Sequence, residues 1–225
     1  GKLFIAGTGC ESAYNTIALT KKAAELGAHA AMVVTPNYYK PKMDNNAFIA
    51  FYEAVAEASP IPIAIYTMPV NTGLDISADA VAKLSQHPNI IGIKDSGGAM
   101  VKFADMLRQA KPGFQVLAGS LSFMYTAMCL GAVGAISALA NVAPAQIVEL
   151  YRLAKAGQHA EARALQFRLM PANAAVTSKY GIAGLKYACD LVGLYGGPVR
   201  LPLLPLSDKE KEDVRRIMVE AEIIK

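Results

Sequence analysis

A chain of 225 residues, 53% hydrophobic, is long enough to bury one large core or two small ones. Its net charge of +4 is scattered, which sets aside a nucleic-acid footprint, and no apolar run reaches the length of a membrane span. Three distant cysteines (Cys10, Cys129, Cys189) argue against a disulfide framework and for a reducing compartment, and three dispersed histidines show no metal-ligand spacing.

Short apolar runs alternate with helical patterns along the chain. "LFIAG" (3–7) reads as a strand, and 12–26 as a helix stopped by Gly27. "AAMVVTP" (30–36) is the next strand and 45–58 the next helix. Pro60 and Pro62 lead into "IAIYTMP" (63–69), and Ser77 caps a helix to residue 85. "IIGIK" (90–94) precedes a helix over 100–110. "FQVLAGS" (114–120) is a strand, 123–130 a helix and "AVGAISA" (132–138) a sixth strand. From Pro144 the pattern is helical to the end, broken by "GLYGGP" (193–198).

Six nearly all-apolar strands, each followed by a helix, imply a parallel sheet buried on both faces. An open doubly wound sheet and a barrel both satisfy that pattern. "GTGCES" after the first strand has the G-x-G of a dinucleotide site but lacks its third glycine. Polar residues recur at the strand ends (Thr8, Thr35, Tyr66, Lys94, Ser120, Ser137), as they would around one mouth of a barrel. An eight-stranded barrel needs two more units than the six found.

Lys94 ends a run of isoleucines, and two readings compete. It can reach solvent or pair with Asp95. Alternatively, burial among Ile90, Ile91 and Ile93 lowers its pKa and leaves an amine able to attack a carbonyl. Tyr66 ends the preceding strand. It is either a half-buried aromatic or, beside a Schiff-base lysine, a phenol that moves protons to and from the substrate oxygen.

Several stretches together resemble the dihydrodipicolinate synthase/N-acetylneuraminate lyase family of class I aldolases. They are "FIAGTG", "VVTPNYYKP", "IYTMPVNTG", "GIKDSGG", "VLAGS" and "GAVGAISALANV", which run in family order along the whole chain. The resemblance implies a (β/α)8 TIM-type barrel, here six of eight units (the third to the eighth) over residues 1–157. A C-terminal helical domain covers 158–225. On this likeness Lys94 is the Schiff-base lysine and Tyr66 its proton donor and acceptor. Tyr38 completes the proton relay from a neighbouring subunit, with Tyr39 the weaker alternative. Ser96, Gly119 and Ile136 match positions lining the pyruvoyl part of the substrate, against a reading of all three as ordinary strand-end packing.

Within the family, "NTGLD", "SQHPNI" and "ANAAVT" are most similar to the mitochondrial 4-hydroxy-2-oxoglutarate aldolases. That likeness implies retro-aldol cleavage to pyruvate and glyoxylate, with no metal and no organic cofactor. It also implies a small keto-acid substrate, no nucleic-acid or membrane partner and a homotetramer built as a dimer of dimers. The compartment would be the mitochondrial matrix, or the cytoplasm if the source is bacterial. Dihydrodipicolinate synthases carry an arginine five residues after the catalytic tyrosine, where this chain has Asn71. The family's first two units, with their carboxylate-holding loop, have no counterpart, so a longer parent protein or a shortened form is expected. Another pyruvate aldolase, a dihydrodipicolinate synthase and a non-catalytic paralogue that associates with full-length subunits stay open as alternatives.

Overall fold

The computed structural model describes residues 1–225, which divide into two compact units. The first comprises residues 1–119 with 130–133, and the second residues 120–129 with 134–225.

The first unit is built on five parallel strands in chain order: β1 (Ile5–Gly7), β2 (Ala30–Val34), β3 (Ile63–Thr67), β4 (Ile90–Asp95) and β5 (Gln115–Ala118). Each crossover carries a helix, as parallel pairing requires. They are α1 (Ala13–Glu25), α2 (Asn45–Ala58), the single turn α3 (Pro69–Thr72), α4 (Ala78–Leu84) and α5 (Met100–Gln109). Ser12, Asp44 and Ser77 each accept a hydrogen bond from a first-turn backbone N–H, which fixes where α1, α2 and α4 begin. Phe48, Tyr52 and Val55 of α2 and Phe103 and Met106 of α5 are buried with Val33, Ile63, Ile65 and Ile93 of the strands. The buried Tyr52 hydroxyl donates to the Val33 carbonyl at 3.0 Å.

Register sets the two faces of this sheet. Val34 pairs with Tyr66, Tyr66 with Lys94 and Lys94 with Leu117, so these four form one row. One residue further on, Thr67, Asp95 and Ala118 form the next row, and the period of two turns it to the opposite face. Gly92 is needed where β4 and β5 meet: a Cβ there would lie 2.4 Å from the Gln115 carbonyl oxygen.

The second unit holds the two-residue strand β6 (Gly134–Ala135) and helices α6 (Met124–Leu130), α7 (Pro144–Lys155), α8 (His159–Ala174), α9 (Gly181–Leu191) and α10 (Asp208–Glu220). α8 holds the 120–125 segment through buried amides. Gln166 accepts from the Tyr125 N–H at 2.7 Å, and Asn173 donates to Ser122 Oγ at 3.0 Å.

All six strands expected from sequence are present; five are shorter than their apolar runs, and β4 runs one residue longer, through Asp95. β2 stops before Pro36, which has no N–H to offer a ladder, and β6 stops at Ala135, shortly before a 3₁₀ turn (Ala138–Asn141). α3 was not expected; Pro69 serves as its first residue rather than as a stop. Between α9 and α10 the non-helical stretch extends well past residue 198, where Pro198, Pro202 and Pro205 follow in succession.

Candidate active site

The candidate pair comes from the first of these rows. Lys94 Nζ lies 4.2 Å from the centroid of the Tyr66 ring, because β3 and β4 pair in register at these two residues. Lys94 is half-buried, and this burial pushes its pKa below the ordinary lysine value. Of the isoleucines expected to enclose it, Ile90 and Ile93 are buried but Ile91 is 41% exposed.

The sequence left open a Lys94–Asp95 pair, and the structure replaces it with a different one. Asp95 points to the other face, fully buried, and its Oδ2 meets Lys102 Nζ of α5 at 2.6 Å. Its Oδ1 accepts from the Gly97 and Gly98 N–H groups at 2.8 and 3.2 Å, shaping the turn that follows β4. Lys102 also meets Asp75 at 2.5 Å, and Asp75 accepts from the Thr67 hydroxyl at 3.1 Å. An ionic clamp therefore ties the end of β3 to the end of β4, one residue past the Tyr66–Lys94 pair. Desolvation is what lowers the Lys94 pKa, and no carboxylate is paired with its amine to offset it.

Ser96 and Gly119 directly follow β4 and β5. The Ser96 N–H donates to the Thr67 carbonyl at 3.0 Å, and the Gly119 N–H to the Asp95 carbonyl at 2.6 Å. The Ser96 hydroxyl is buried and has no hydrogen-bond partner. A Cβ on Gly119 would fall 1.9 Å from it, so position 119 admits no side chain. An unpaired buried hydroxyl beside bare backbone is suited to receive a polar ligand group.

Tyr38 is not brought to Lys94 within the chain. The residue is 77% exposed, and its ring meets Tyr39 edge-on at a centroid distance of 5.1 Å. Ile136, half-buried after β6, belongs to the second unit. Of the clamp residues, Asp75 and Lys102 went unnoticed in the sequence, and Asp95 was considered only as a partner for Lys94. Strand alternation alone could have placed Asp95 on the face opposite Lys94; nothing local marks Asp75 or Lys102.

Residues 3–221 match the Dihydrodipicolinate synthetase family. The 4-hydroxy-tetrahydrodipicolinate synthase of Methanothrix thermoacetophila is 35% identical over 215 residues, 95% of this chain and 72% of that protein. Among solved structures, the chloride-inhibited dihydrodipicolinate synthase of Acinetobacter baumannii, crystallised with pyruvate, superposes with a TM-score of 0.92 at 34% identity. It is matched over 99% of this chain and 76% of that one. A monomeric dihydrodipicolinate synthase variant superposes equally well, with a TM-score of 0.92 at 30% identity over 99% of this chain and 75% of its own. With a family match over nearly its whole length and the lysine and tyrosine of the sequence resemblance on paired strands, the chain belongs to the dihydrodipicolinate synthetase family.

Proposed function

We propose that the chain is a Schiff-base carbon–carbon lyase acting on a pyruvate-type 2-keto acid. The observation that carries this is the half-buried Lys94 amine, its pKa depressed, stacked on Tyr66 at 4.2 Å. The neutral amine attacks the C2 carbonyl, water leaves, and the iminium accepts the electron pair released at C3. Tyr66 carries the proton to or from the oxygen on the partner carbon. Ser96, Gly119 and Ile136 hold the pyruvoyl portion, and Tyr38, which projects into solvent, completes the relay in a neighbouring subunit of a homotetramer. In this reading the barrel is represented by its third to eighth units. Incubation with pyruvate and borohydride tests the proposal: a reduced pyruvyl group is expected on Lys94 by peptide mass mapping. An adduct on another lysine, with Lys94 free, refutes it.

The partner aldehyde divides two readings. The relatives named above support the synthase direction, in which the enamine carbon attacks an aldehyde. Asn71 and the motif likeness support cleavage of 4-hydroxy-2-oxoglutarate to pyruvate and glyoxylate, since an exposed amide carries no charge for an acidic co-substrate. The mitochondrial compartment goes with that second reading alone. Parallel assays of glyoxylate release and of condensation with aspartate semialdehyde separate them.

A further inference from the structure

Glu11 does something that "GTGCES" gave no reason to expect. Its Oε2 accepts from two successive backbone N–H groups, Asn37 at 2.9 Å and Tyr38 at 2.7 Å, across 26 and 27 residues of sequence. Both donors belong to the loop that presents Tyr38 after β2. The base under Glu11 is fixed. The Cys10 N–H donates to the buried Thr16 hydroxyl at 3.0 Å, and that hydroxyl donates back to the Cys10 carbonyl at 3.3 Å. Gly9 packs so closely on β2 that a Cβ would lie 2.6 Å from the Val34 nitrogen. Ser12, next in sequence, caps α1. A carboxylate held on so firm a seat, receiving two amides at charge-assisted distances, sets the direction of the peptide it binds.

We infer that Glu11 is a positioning residue for Tyr38, holding the loop so that the phenol is presented at a fixed angle for proton transfer. This rests on the proposed role of Tyr38. Glu11 touches no reacting atom; it acts through the backbone of residues 37 and 38. Lys94 and Tyr66 stand on β4 and β3 and do not depend on it.

The test compares Glu11→Ala, Glu11→Gln and Tyr38→Phe. Amide hydrogen exchange at Asn37 and Tyr38 is expected to accelerate at least about tenfold in E11A and to stay near the parent rate in E11Q, whose amide oxygen still accepts. Turnover should fall about 10- to 100-fold in E11A, with KM and borohydride trapping of pyruvate at Lys94 within about twofold, and E11Q should recover most of it. Unchanged exchange in E11A overturns the inference whatever the activity, and so does a loss of trapping in step with turnover. If Y38F is impaired while E11A turns over normally, the Glu11 inference alone falls. If Y38F itself turns over normally, the role given to Tyr38 falls and takes this one with it.

Discussion

Replacing Lys102 with methionine isolates the clamp from the Tyr66–Lys94 pair. The substitution keeps an unbranched apolar stem and removes the cation, so the Asp95 carboxylate, fully buried, loses its partner at 2.6 Å. Removing one member of a buried ion pair costs about 3–5 kcal/mol, because the remaining charge is left unpaired in a medium that cannot solvate it. Asp95 keeps the Gly97 and Gly98 N–H groups, and the Lys102 side chain is 15% exposed, which lets some water in. Both facts place the expected loss at the lower end, about 3 kcal/mol. For a chain of this size that is a fall in Tm of about 6–12 °C. Changing Asp95 to Asn in the same protein removes the stranded charge while keeping an acceptor for both glycines, and should return about half of the loss. Denaturant titration of the parent, K102M and D95N/K102M measures all three. A loss below about 1 kcal/mol in K102M, or a double variant less stable than the single one, would falsify the account of a buried clamp.

Tyr66→Phe should keep imine trapping at Lys94 but lower turnover by ~10²–10⁴, the span of a lost general acid–base group; near-normal turnover removes Tyr66 from the mechanism. Gly119→Ala places a methyl where 1.9 Å separates it from Ser96 Oγ, so pyruvate trapping should be lost together with about 1–3 kcal/mol of stability, and an unaltered protein would show that the backbone can open there. Burial lowers the folded pKa of Lys94, so between that value and the ordinary lysine pKa the unfolded chain holds the extra proton and stability rises with pH. Lys94→Met should therefore be more stable than the parent at neutral pH, with the gap closing as pH rises through the lowered pKa; a gap that widens contradicts the sign. Tyr52→Phe removes the donor to the Val33 carbonyl and should cost about 1 kcal/mol in the same titrations.

The alternation of apolar runs and helices made the parallel strands legible, and pairing of neighbouring parallel strands then brought Tyr66 to Lys94 with no further information. The boundaries were less legible. A four-residue helix begun by Pro69 looks like a strand simply ending, and a two-residue β6 looks like a full strand because its flanking residues are apolar for other packing reasons. The clamp was out of reach because its members lie on β4, on α5 and in the segment between α3 and α4, and meet only when α5 packs on the Asp95 face. Glu11 was out of reach for another reason: its partners are backbone amides, which every residue but proline owns, so the bond leaves no trace in the side-chain pattern.

Tyr66 and Lys94 also belong to a single strand–helix–strand unit, twenty-eight residues apart, with the clamp's Asp75 inside that segment and Lys102 just beyond it. Closing so short a loop costs little entropy, and the cost grows only slowly with length. The Tyr66–Lys94 pair can thus assemble early and locally, during synthesis or refolding, before either end of the chain has found its place. Its amides should then exchange together, as one late-opening cooperative block, while the exposed Tyr38 loop opens separately and sooner. On the proposed reading the nucleophile is then prepared by a fragment of the chain, and the rest of the polypeptide decides what reaches it.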